Sequence, residues 1–150
     1  MSKKMAVIFL SFFIMPNISS SEETCSVSGE ISIIDKGDIH VGMYSPEDWS
    51  NRKDKTPSPP YFQIINLTPE QIKTKKVPFE FQDIKKGTYC IHVYQDVNQN
   101  GKLDRKLMGT AAEPLGEYRS SLIWGSWNDM KFEVNKDISD IEIQMYEPSW

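Results

Sequence analysis

Asp96, Asn98, Asn100 and Asp104 stand at positions 1, 3, 5 and 9 of the run Asp96-Val-Asn-Gln-Asn-Gly-Lys-Leu-Asp104, with Gly101 at position 6. This is the spacing of a calcium loop. Alternate side chains turn towards one point, the glycine permits a sharp turn, and oxygen donors suit a hard cation. The Lys102 carbonyl is a candidate fifth donor, and Glu113 or Glu117 could complete the shell. Position 12 is Leu107 rather than the bidentate Glu of a helical EF-hand, and Lys102, Arg105 and Lys106 flank the donors. Calcium is therefore expected to bind weakly, with a Kd of about 10⁻⁴ to 10⁻³ M. The alternative is a metal-free hairpin connection held by Asx-turns and the glycine.

Other chemistry is sparse. His40 and His92 have apolar neighbours and no partner motif, so a structural or surface role suits them better than a catalytic one. No nucleophile elbow and no zinc spacing such as H-E-x-x-H is present. The chain is accordingly expected not to be an enzyme; a small hydrolase would need an exposed His–carboxylate pair in a cleft. Trp124, Trp127 and Trp49 could form an aromatic platform for a glycan or peptide, although tryptophans more often pack into a core or under a loop.

The elements that must position these residues are short apolar runs bounded by turns. Strands are expected at 26–34, 39–44, 61–66, 77–81, 89–95, 130–134 and 141–146. The first two flank Asp35-Lys-Gly-Asp38 and suggest a hairpin. Thr68 and Pro69 fit the cap and first position of one helical turn. Pro78 lacks a donor and points to an edge strand. Ser45 to Pro60, rich in Pro, Ser, Asp and Lys, is expected to be a loop. No long amphipathic helix separates the strands, which disfavours a parallel α/β fold. The expectation is an all-β chain, an antiparallel β-sandwich of about seven strands.

The basic start Ser2-Lys-Lys4, an apolar run of about ten residues from Ala6 to Met15, and Ser19-x-Ser21 form the pattern of a cleavable secretory signal. Residues 1–21 would then be removed, leaving a single domain over 22–150 in the periplasm or secreted. Without Lys3 and Lys4 the 17 basic residues fall to 15 against 21 acidic ones, a net charge of about −6. The positive charges form no stripe with stacking aromatics, so nucleic acid is not an expected partner. No second apolar run is long enough to span a membrane after cleavage. Cys25 and Cys90 are the sole cysteines. Behind an export signal such a pair is expected to form one disulfide, with two buried free thiols as the alternative.

The segment from Phe79 to Asp104, with Gly87 and Tyr89 entering a strand ahead of Asp96-x-Asn98-x-Asn100-Gly101-x-Leu103-Asp104, resembles the exported bacterial family called domain of unknown function 2141. Gly109, the Glu113 to Tyr118 segment, and the closing runs Trp127 to Val134 and Ile141 to Met145 are similar to it more loosely. Glu117-Tyr-Arg-Ser-Ser121 departs from the family pattern, in which an aromatic residue precedes Ser-Asn. The resemblance implies a transthyretin-like or carboxypeptidase-regulatory-like, immunoglobulin-like sandwich placed in the periplasm. The expected role is a non-catalytic binding or accessory module, stabilised by calcium at the Asp/Asn loop, with a protein, glycan or other envelope component as partner. The alternative is a carbohydrate- or peptide-binding protein using its tryptophans.

Overall fold

Alternation of apolar and polar side chains sorts the described residues into eight strands around one core. The computed structural model describes residues 22–51, 59–119 and 126–148; the expected signal segment 1–21 and Trp124 lie outside the described residues. The strands are β1 (Thr24–Ser32), β2 (Asp38–Tyr44), β3 (Tyr61–Ile65), β4 (Lys76–Lys85), β5 (Gly87–Asp96), β6 (Leu115–Glu117), β7 (Phe132–Val134) and β8 (Ile138–Tyr146). Three short helices join them: α1 (Pro46–Asn51), α2 (Pro69–Thr74) and α3 (Trp127–Met130). Thr68 caps α2, and Pro69 occupies its first turn, where the missing N–H costs nothing.

Neighbouring strands follow the order β3-β2-β5-β6-β8-β1-β4, with β7 attached to β5. The end strands approach each other without a ladder. The Gln63 side chain donates to the Glu80 carbonyl, and Tyr61 Oη accepts from Lys85 N at 3.1 Å. The result is an all-β, nearly closed, barrel- or sandwich-like fold. Its interior is lined by one face of each long strand: Val27 and Ile31 from β1, Ile39, Val41 and Met43 from β2, Val77, Phe79, Phe81 and Ile84 from β4, Tyr89, Ile91 and Val93 from β5, and Ile141, Ile143 and Met145 from β8. On β4 the register slips opposite Cys25–Val27, where Asp83 takes a φ of 56°. This bulge lengthens the strand past Phe81 and returns Ile84 to the core face.

Three expectations need correction. Among the described residues all strand pairings except one are antiparallel; β1 and β8 run parallel, with Gly29 opposite Ile141 and Ile31 opposite Ile143. β1 and β2 are not a hairpin. β1 pairs with β4 and β8, and β2 with β3 and β5, so residues 33–37 cross between separate pairs. The buried Gln95 side chain holds that crossing, accepting from Ile34 N at 3.4 Å and Asp35 N at 3.2 Å.

The third correction concerns the disulfide, because Cys25 and Cys90 are both buried and are not joined in a disulfide. The reason is strand parity. Successive side chains on a strand point to opposite faces. Tyr89, Ile91 and Val93 face the core that includes Cys25, so Cys90 faces away from it. Reaching Cys25 would require a one-residue slip that turned the whole of β5 inside out.

Candidate functional site

The outward face of β2 and β5 carries the residues with chemistry. The pairings Tyr44↔Cys90, Gly42↔His92, His40↔Tyr94 and Asp38↔Asp96 set them in one patch. Towards the Cys90 end the patch is aromatic. Trp49 packs edge-on against Tyr44 at 5.8 Å between ring centroids, and lies 6.3 Å from His92 and 6.3 Å from Trp127. Tyr44, Trp49, His92 and Trp127 are half-buried, so each ring keeps some surface towards solvent.

Two similar local devices place the tryptophans. Ser45 precedes α1, and its Oγ donates to Asp48 Oδ2 at 2.6 Å while its N–H bonds the same oxygen at 3.1 Å. Ser126 precedes α3 and makes the same pair of bonds to Asp129 Oδ2, at 2.6 and 3.0 Å. Those bonds hold the Asp129 carboxyl below its ordinary range. Each Ser-x-x-Asp unit closes one helical turn and fixes the tryptophan beside it. Trp49 and Trp127 were legible as aromatic candidates. Tyr44 and His92 were not, although alternation along β2 and β5 places them on the face of His40, Cys90 and Tyr94. The Ser-x-x-Asp spacing is the signal that would have found α1 and α3.

Towards the Asp96 end the patch is polar. His40 is buried, stacks on Tyr94 at 4.4 Å, and bonds the Tyr94 hydroxyl through Nδ1 at 2.8 Å. Its Nε2 stands 3.5 Å from Asp96 Oδ2. Burial pushes the imidazole below its ordinary 6.5, against the opposing charges of Asp96, Asp38 and Glu113. Burial, reinforced by Asp96 and Glu113, pushes the Tyr94 phenol up to about 12. The Asp96 carboxylate can only accept, so it favours the tautomer with the proton on Nε2, in which the Tyr94 hydroxyl donates to Nδ1.

The Asp/Asn loop grows from this root. Asp96 accepts from Asn100 N at 3.1 Å and Gly101 N at 2.7 Å, and Gly101 has a φ of 81° that only glycine adopts readily. Asn98 and Asn100 both aim their side-chain amides at Asp104 Oδ2, each at 2.7 Å. Those bonds lower the Asp104 carboxyl. Lys102 N bonds Asn100 Oδ1 at 3.1 Å. Buried Glu113 spans the loop's two ends, accepting from Val97 N at 3.0 Å and Asp104 N at 3.1 Å. The structure thus joins Asn98, Asn100 and Asp104 through their side chains, Lys102 through its N–H rather than its carbonyl, and Asp96 through the loop backbone, and gives Glu113 a backbone partner on each oxygen. Glu117 lies on β6, opposite His92. Among the described residues no group of three or more His, Cys, Asp or Glu side chains could hold a metal.

Residues 33–142 match the family described as an uncharacterized protein conserved in bacteria, domain of unknown function 2141. The chain belongs to this family. The match runs from the β1–β2 crossing into β8 and takes in both the loop and Trp127. No curated protein and no solved structure matches the chain. Among the described residues no helix is long and apolar enough to cross a membrane.

The His40–Tyr94 pair makes stability pH-dependent at both ends. A folded-state imidazole that resists protonation gives stability that is complete above its ordinary 6.5 and is lost as pH falls below it. Tyr94 and Tyr89 are both held up at about 12 against an ordinary 10.0, so the folded state keeps protons that the unfolded chain releases. Stability is accordingly lost as pH rises from 10 towards 12. Melting temperature against pH should show both slopes. Tyr94→Phe should flatten part of the alkaline one, and an unchanged alkaline slope in that variant would contradict the assignment.

Proposed function

We propose that the protein is a non-catalytic binding module whose ligand, a glycan or a peptide, rests on the Trp49–Trp127 aromatic patch. The observation that carries this is the position of Trp49, in ring contact with Tyr44, His92 and Trp127 at once. Two capped helical turns anchor a cluster that keeps surface open, which suits a preformed recognition face better than core filling. The rings are tilted, 41° between the two tryptophans, so they form a shallow cradle rather than a flat platform. Export to the periplasm with residues 1–21 removed and 22–150 as the working domain is part of the same reading.

Soluble peptidoglycan fragments and proline-rich peptides are suitable probes, read by tryptophan fluorescence and by NMR shifts. Trp49→Ala should weaken binding by about thirty-fold, the loss typical of a central aromatic anchor. The Trp127 variant should follow with a smaller loss. Retention of full affinity in Trp49→Ala, with the domain still folded, would remove the patch as the site.

The Asp/Asn loop is proposed as a weak calcium site that stiffens the module. The supporting observation is the convergence of Asn98 and Asn100 on Asp104 Oδ2. A bound cation would take the place of those two amide donors, with the amides turned to present oxygen. With a Kd near 10⁻⁴ M and about 1 mM calcium, linkage gives roughly 1.4 kcal/mol. The melting temperature should rise by a few degrees. Asp104→Ala should abolish the rise, and magnesium should reproduce it poorly. No rise in the natural chain would leave the loop as a metal-free turn.

A further inference from the structure

Beyond the Asp/Asn loop the chain makes a second, tighter hairpin whose tip is apolar. Arg105 bridges Ala111, Lys106 N bonds the Thr110 carbonyl at 2.7 Å, and Gly109 N bonds the Lys106 carbonyl at 2.8 Å. The Arg105 guanidinium closes on the Gly109 carbonyl at 3.0 Å, and Ala112 N bonds the Asp104 carbonyl at 2.8 Å. Glu113 ties this base to the Asp/Asn loop. The backbone is therefore fixed, yet Leu107 and Met108 at its tip are 104% and 90% exposed. No other large apolar side chain among the described residues is as exposed; Ile64 follows at 53%. An ordered turn that holds two adjacent apolar side chains wholly in water is not explained by packing.

Charge marks the same place. The chain carries a net −4, but over residues 102–110 exposed Lys102, Arg105 and Lys106 stand against a single acid, Asp104. We infer that this tip docks on an anionic lipid surface, with Leu107 and Met108 entering the headgroup boundary and Lys102, Arg105 and Lys106 meeting the lipid phosphates. Apolar side chains inserted shallowly and cations at the headgroups reinforce one another in this geometry. A protein pocket is the weaker occupant, because two side chains cover far less than the roughly 1,000 Å² that a lasting protein interface needs. The fixed backbone lowers the ordering cost of docking. The tip lies beyond the Asp96 end of β5, while the Trp49 cluster lies towards the Cys90 end. A docked tip thus leaves the aromatic patch open.

The test uses the full chain with a nitroxide at Met108→Cys. Cys25 and Cys90 are buried, so the label goes to the tip. A label at Lys86→Cys, at the far end of β5, is the control. Vesicles of phosphatidylglycerol and phosphatidylcholine in equal parts are compared with phosphatidylcholine alone. On the anionic vesicles the tip label should lose access to a water-soluble nickel relaxant and gain access to oxygen, while the Lys86 label stays in water. Because each label reports its own depth, tethering by another segment of the chain would not imitate this result. Lys102→Gln should weaken tip insertion by about five-fold, the share of one basic residue at such a surface. Leu107→Ser should also release the tip without changing the melting temperature, since the side chain touches no core. A tip label that stays in water on anionic vesicles overturns the proposal, as does equal insertion into phosphatidylcholine alone.

Discussion

Gly29→Ala should cost the fold about 4 kcal/mol or more, and the variant should be recovered largely unfolded. Gly29 sits in β1 at the parallel pairing with β8, where a Cβ would stand 2.0 Å from the Ile141 carbonyl oxygen and 2.8 Å from Ile141 Cβ. The first of these is backbone, so no rotamer change relieves it. Relief requires β8 to move away from β1, which opens the contact that puts Ile141 and Ile143 into the core beside Ile31. Gly101→Ala is the contrasting variant. Nothing lies within 4 Å of a Cβ there, and its cost is confined to a φ of 81°, about 1 kcal/mol. Chemical denaturation of the two side by side decides the matter. A Gly29→Ala protein within about 1 kcal/mol of the natural chain would show that the β1–β8 approach is looser than its geometry requires.

That parallel pairing is also what local patterning did not disclose. Seven strands are legible in the sequence because Ile, Val and Phe alternate with polar residues between turn signals. β4 and β5 are the clearest, with Val77, Phe79 and Phe81 in one and Tyr89, Ile91 and Val93 in the other. Which strand lies beside which is not written in alternation. Asp35-Lys-Gly-Asp38 looks like a hairpin turn, but it crosses between pairs because Gln95 supplies the hydrogen bonds that a partner strand would have supplied. β6 spans only Leu115–Glu117, too short to show a period. The cysteine pairing failed on information that was present: Cys90 is one residue out of phase with Tyr89 and Ile91, and that parity already sets it apart from an inward Cys25.

The site was legible in pieces. The Asp/Asn spacing announces convergence on one point; in the structure Asn98 and Asn100 turn their amides to Asp104, while Asp96 turns to the loop backbone and His40. The spacing could not show that Glu113 closes both ends of the loop, because that contact bridges 16 residues on one side and 9 on the other. Nor could it show that His40 stands under Asp96. Trp49 and Trp127 are far apart in sequence and meet only because α1 and α3 fold over the same face of β5.

Asp96→Ala should destabilise the protein by about 3 kcal/mol, seen as a fall in melting temperature of roughly ten degrees. Asp96 is 1% exposed, and three groups depend on it: Asn100 N–H, Gly101 N–H and the Nε2 proton of His40. Alanine leaves all three without their acceptor at the root of the loop, where unmet polar groups are costly. Asp104→Ala should change stability far less than Asp96→Ala in the absence of calcium, because its carboxylate meets only two side-chain amides near the surface. The two acids thus have separate duties: Asp96 builds the loop, and Asp104 is the one open to a cation. Amide exchange of residues 97–101 should quicken in Asp96→Ala and stay close to natural in Asp104→Ala. Equal losses in the two variants would place the root elsewhere. The consequence reaches the hairpin tip, since Asp104 N and Val97 N share Glu113 and the Ala112 N–H bonds the Asp104 carbonyl. A loop cut loose at Asp96 no longer aims Leu107 and Met108, so this variant should lose vesicle docking with every tip residue intact.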